Sequence, residues 1–160
     1  FLMPFSSYMG NTLSSVLLSA LLFNGLIEET IKMLFISFIP EKNKTLSIFF
    51  IAAIIAGCTF GCFEAAVYFI AGSKDISIRL FTAVLLHTFC AGLSGIFVWT
   101  VKKHIAMIFP FILAVFLHGI YNFFAGFTSG FWWFSIITIL FSMIQCRIYY
   151  TKIIESNSTT

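Results

Sequence analysis

Charge is what this chain has least of: only 9% of its 160 residues are Asp, Glu, Lys or Arg, while 60% are hydrophobic. A soluble domain needs far more polar side chains to cover its surface, so the composition excludes one and marks an integral membrane protein. A single cluster of spans uses the whole length, residues 1–160, and leaves no separate soluble domain. The net charge of +3 is too small to suggest nucleic acid as a partner; the lipid bilayer is the environment the composition demands. A disulfide framework is also missing. The four cysteines, Cys58, Cys62, Cys90 and Cys146, all fall within apolar segments, and none has the loop spacing of a zinc knuckle. Cys58 and Cys62 share a helix face and read as buried free thiols. There is no internal repeat, no low-complexity segment beyond the bias to phenylalanine, and no basic stretch leading to a cleavage site that would mark a signal peptide.

What the chain does have is long oily runs. Spanning about 30 Å of hydrocarbon takes roughly 20 apolar residues of helix. Five segments meet that length, giving an all-α, polytopic helix bundle with spans at Leu13–Ile39, Leu46–Ala71, Leu80–Val101, Ile105–Ala125 and Phe131–Ile154. Polar or glycine-containing turns separate them: Pro40 to Lys44, Gly72 to Asp75, Lys102 to His104, and Gly126 to Gly130. Residues 1–12 read as an interfacial segment or the end of another helix, and residues 156–160 as a disordered polar tail. Lys42, Lys44, Lys102, Lys103, Arg147 and Lys152 lie on one side of a five-span chain, with only Lys74 and Arg79 on the other. By the positive-inside rule the C-terminus is cytoplasmic and the N-terminus outside. Trp132, Trp133, Tyr149 and Tyr150 read as interfacial belt anchors, and Pro110 as a kink in the fourth span.

Against that background a few polar side chains stand out. Glu28, Glu29 and Lys32 lie on the first span, Glu64 on the second, His87 on the third, and His118 and Asn122 on the fourth. An acid or lysine at a helix centre costs about 2.5 to 3.5 kcal/mol, so the four acidic and basic groups cost on the order of 10 kcal/mol before pairing. Incidental interhelical contacts would more often use Ser, Thr or Asn. Counted from the cytoplasmic ends at 1.5 Å per residue, Lys32 lies about 12 Å deep, Glu28 about 18 Å, His118 about 20 Å and His87 about 22 Å, with Glu64 and Asn122 near 26 to 28 Å. Four helices thus bring polar groups to one level. Ala83, His87, Ala91 and Gly95 are spaced four apart, as are Ala114, His118, Asn122 and Gly126, so each histidine lies on a stripe of small residues. Glu64 lies beside a similar stripe of Ala53, Gly57, Gly61 and Ala65.

These groups have the equipment for hydrolysis. Two adjacent carboxylates repel, so one holds a proton while the other, supported by Lys32, acts as a base toward water. His87 and His118 can bind a metal ion through neutral imidazole or steady an oxyanion, with a further hydrogen bond from Asn122. Buried Glu and His also build proton relays, so a proton- or cation-coupled transporter or channel is the alternative. The lack of a pseudo-repeat and of paired broken helices argues against it.

The segments EETIK (Glu28 to Lys32), FGCFEAAVY (Phe60 to Tyr68), LLHTF around His87 and FLHGIYN around His118 and Asn122 resemble the successive motifs of the PrsW family. That family belongs to the larger group of CAAX prenyl endopeptidases and bacteriocin-processing membrane proteases. The Glu-Glu-x-x-Lys spacing is similar to PrsW, whereas the CAAX enzymes carry an arginine where this chain has Met33. The resemblance implies an intramembrane endopeptidase of the bacterial plasma membrane, acting on membrane-anchored substrates such as anti-sigma factors or lipid-modified chains. It implies Glu28 or Glu29 as catalytic base, with Glu64, His87 and His118 in the active site. It leaves two mechanisms open: a zinc enzyme with Glu64, His87 and His118 as ligands, or a metal-free, glutamate-activated water.

Overall fold

The structure is a computed structural model that describes residues 12–42, 44–72, 76–127 and 130–158. The expected interfacial segment therefore lies, but for Thr12, outside the described residues. Five helices follow in order: α1 (Leu13–Ser37), α2 (Leu46–Ile70), α3 (Ile76–Lys102), α4 (Phe109–Ala125) and α5 (Trp133–Ser158). No strand occurs among the described residues. Four of these helices are long and apolar enough to cross a membrane, and α4 is a shorter apolar helix of 17 residues, about 25 Å at 1.5 Å per residue. The chain is an integral membrane protein of the helix-bundle class.

Local sequence explains the helix limits. Thr12 caps α1 by accepting from the Ser15 N–H, and Thr45 caps α2 by accepting from that of Ile48. Gly72, with φ +74°, follows the end of α2 in the left-handed conformation that glycine adopts without strain. Pro110 was expected to kink the fourth span. Instead it occupies the first turn of α4, where its missing N–H costs nothing, and the helix starts at Phe109 rather than Ile105. The last helix runs to Ser158, so three residues of the expected tail are helical. α1 is unusual at its centre: Ala20–Ile27 is a π-helical stretch, directly ahead of Glu28.

α3 is the central rod. Most of its length is buried, whereas the other spans turn large side chains such as Phe63, Phe116 and Phe131 outward. Outward apolar side chains are what lipid tails solvate. α2 lies along α3 on the predicted small-residue stripe: Ala53, Gly57, Gly61 and Ala65 are all buried. A Cβ on Gly61 would come within 2.8 Å of the Val84 Cα, so only glycine permits this approach. The π stretch of α1 lies on α4 through Gly25 and Gly119 in the same way. Cys90 and Cys146 are buried, but Cys58 and Cys62 are exposed on the outer face of α2. Their shared face is correct and their burial is not, because that face looks away from α3.

Candidate active site

The two glycine contacts decide what meets what. Packing of α2 on α3 carries Glu64 to His87, and packing of α1 on α4 carries Glu28 and Glu29 to His118. Glu29 is fully buried. Its Oε1 accepts from the Lys32 ammonium and from His118 Nδ1 at 2.7 Å, and its Oε2 accepts from the Ser94 hydroxyl at 3.3 Å. The Lys32 ammonium also lies 3.0 Å from His87 Nδ1, and His87 Nε2 lies 2.5 Å from Glu64 Oε2. The two imidazoles meet edge to face, with ring centroids 4.8 Å apart. Glu28 Oε2 is 3.5 Å from His118 Nε2 and, although buried, has no hydrogen-bond partner among the described residues.

Proton positions follow from the partners. An ammonium only donates, so His87 accepts at Nδ1 and carries its hydrogen on Nε2, which donates to Glu64. A carboxylate only accepts, so His118 carries a hydrogen on Nδ1, toward Glu29, and in the neutral form of the ring Nε2 is bare. The two histidines therefore hold opposite tautomers, each fixed by a charged neighbour.

Six of the seven residues singled out in the sequence meet in this network: Glu28, Glu29, Lys32, Glu64, His87 and His118. Asn122 stands at its edge, lining a small cavity with Glu64, Tyr68, Ala83 and Tyr121. Two residues escaped notice in the sequence. Ser94 is fully buried and bonded to Glu29; its position, seven residues after His87 on the same stripe, was the available signal. Phe60 packs its ring 5.3 Å from that of His87, with the Lys32 ammonium 5.4 Å from its centroid.

One group among the described residues brings three metal-ligating atoms together: Glu28, His87 and His118 each offer one, all within 4.8 Å of one another. Glu28 stands here where the sequence suggested Glu64, because Glu64 is taken up by His87. No curated protein and no solved structure matches the chain. The family model described as PrsW family intramembrane metalloprotease matches residues 2–146. With that match covering most of its length, the chain belongs to the PrsW family and is an intramembrane protease.

Proposed function

We propose that this protease cuts membrane-anchored peptides with a water activated by Glu28. One observation carries the reading: Glu28 Oε2, without a hydrogen-bond partner among the described residues, faces Nε2 of His118, an acceptor when the ring is neutral, across 3.5 Å. Two acceptors side by side call for a donor, and a water lying beside the pair gives one O–H to each. Glu28 then takes a proton from that water as its oxygen bonds to the peptide carbonyl carbon. The oxyanion that forms is within the province of the Asn122 amide, a donor at the edge of the network beside Glu64. Cleavage of the C–N bond follows as Glu28 returns the proton to the departing amine. Glu29, fully buried and already accepting from Lys32, His118 and Ser94, is tied into the bundle by these bonds. Its part is to orient His118 and to neutralise Lys32.

The donor set also suits a metal ion. Two imidazoles and a carboxylate are the ligands of many zinc hydrolases, and an orphaned buried carboxylate oxygen is the kind of atom a cation satisfies. Glu28, His87 and His118 would hold the ion, which when bound lowers the pKa of its water and polarises a carbonyl. Both ring nitrogens of His87 are engaged, Nδ1 by Lys32 and Nε2 by Glu64, so it would have to give up one of these bonds to join it.

The substrate we infer is a membrane-anchored protein of the anti-sigma-factor or lipid-modified kind. The setting we infer is a bacterial plasma membrane, with the C-terminus cytoplasmic. Family membership and the one-sided lysines support these readings. The test is Glu28→Gln in liposomes bearing a membrane-anchored reporter. Loss of a general base lowers cleavage by about 100-fold or more, while thermal unfolding stays that of the wild type. Cleavage within a few-fold of wild type would remove Glu28 from the reaction. Elemental analysis beside a chelator titration separates the two forms of the mechanism.

A further inference from the structure

α1 and α2 are joined by a short turn, yet they lean apart, each packing on α3 and touching the other little. Between them lies a groove of about 390 Å³, walled by Phe35 and Ile36 from α1 and by Ala56, Thr59, Phe60 and Phe63 from α2. The walls are almost wholly apolar. Phe35 and Phe63 are 66% and 68% exposed, so the mouth opens sideways, on the face that lipid covers. The inner end is different in kind. Lys32 lines it, and the same ammonium bonds Glu29 and His87. Phe60 lies between groove and reaction site, one face toward His87 and the Lys32 ammonium near its ring.

A protease whose peptide lies in the bilayer must receive it from the side, and a peptide segment next to the cut has apolar side chains to place. A lipid tail suits the walls equally, but it has no need of a groove that ends one aromatic ring from the reacting groups. Continuity with the site favours the peptide. Resting on the reading of Glu28 given above, we propose that the groove between α1 and α2 takes a bulky apolar side chain of the membrane-embedded substrate, and that Phe60 sets the size it accepts.

The test uses the full chain in liposomes and a set of membrane-anchored reporters with Ala, Leu, Phe or Trp at each residue flanking the cut. Thr59 is exposed on the lip of the groove and touches none of the reacting groups, so Thr59→Trp narrows the groove without altering the site. It should raise KM for Leu and Phe reporters tenfold or more at one flanking position, with kcat unchanged and the Ala reporter within twofold. Phe60→Leu should shift the preference at that position toward Phe and Trp. Should Thr59→Trp unfold, Ala56→Leu narrows the groove from the same wall, three residues earlier on α2, and is read the same way. Wild-type preferences in these variants would mean that lipid fills the groove, overturning the proposal while leaving Glu28 in place. A wild-type protein that cuts no reporter overturns both.

Discussion

Glu28 and Glu29 are neighbours in the chain, but successive helical side chains point about 100° apart, so they meet different surroundings. Glu29 turns into the bundle and collects donors from Lys32, His118 and Ser94, three side chains on three helices. Glu28 turns toward His118 Nε2 and collects none. The substitutions should part accordingly. Glu29→Gln leaves the Lys32 ammonium, 3% exposed, without its counter-charge. Breaking a buried pair from one side costs about 3–5 kcal/mol, seen as a large drop in thermal unfolding temperature in detergent. Glu28→Gln removes a carboxylate oxygen that bonds nothing, and should stay within about 0.5 kcal/mol of wild type. Equal destabilisation by both would refute this division of roles. The glutamates, the lysine and the histidines were legible in the sequence because ionisable side chains are costly in lipid and few reasons retain them. Ser94 was not, because a serine in a span costs little and the sequence holds many. Which glutamate faces which histidine was not legible either, since helix rotation is set by the neighbours.

The helices themselves were easy to foresee, since the length of apolar runs fixes spans, and small residues spaced four apart named the faces of α2 and α3. What escaped was local backbone form. Nothing in ALLFNGLI marks Ala20–Ile27 as π-helical, because α and π turns draw on the same residues and packing chooses between them. Pro110 misled for a related reason: proline suits both a kink and a helix start, and only the turn before α4 distinguishes them. The small-residue contacts carry a consequence for activity. Gly57 faces α3 so closely that an added Cβ would press on the Ala91 Cβ and the His87 carbonyl oxygen. The second of these is backbone and cannot turn aside. Gly57→Ala should destabilise the bundle by about 1–3 kcal/mol, the usual cost of overpacking. Because α3 must retreat, it also draws His87 from Glu64, so cleavage should fall by more than stability alone explains. Gly130→Ala is the control, since a Cβ there meets nothing within 4 Å among the described residues. If the two variants behaved alike, the tight contact between α2 and α3 would have no part in the site.

The bundle has two unlike ends, and the difference is the basis of the orientation we infer. With five helices alternating in direction, the turn between α1 and α2, the turn between α3 and α4, and the end of α5 all emerge on one side. Glu41 and Lys102 meet there at 3.3 Å, tying the first of these turns to the end of α3. Lys103 lies over the Trp99 ring at 4.9 Å, a basic head with an aromatic body that suits the headgroup layer. Lys42, Lys44, Arg147 and Lys152 belong to the same side. Charge on short turns sets orientation because basic residues resist translocation. A fluorescent protein that matures only in the cytoplasm should therefore light up when fused after Thr160, and an exported phosphatase fused there should stay inactive. The level of the site makes the outcome consequential. Lys32 lies about 12 Å and Glu28 about 18 Å from this end by helical rise, near the middle of a hydrocarbon layer about 30 Å thick, and the groove between α1 and α2 extends from Lys32 to Phe35, nearer this end. A cytoplasmic C-terminus then puts the cut near the middle of the bilayer, with the Lys32 and Phe35 end of the groove toward the cytoplasmic face. Active phosphatase at the C-terminus would turn the molecule over and point the Lys32 and Phe35 end of the groove toward the outer face.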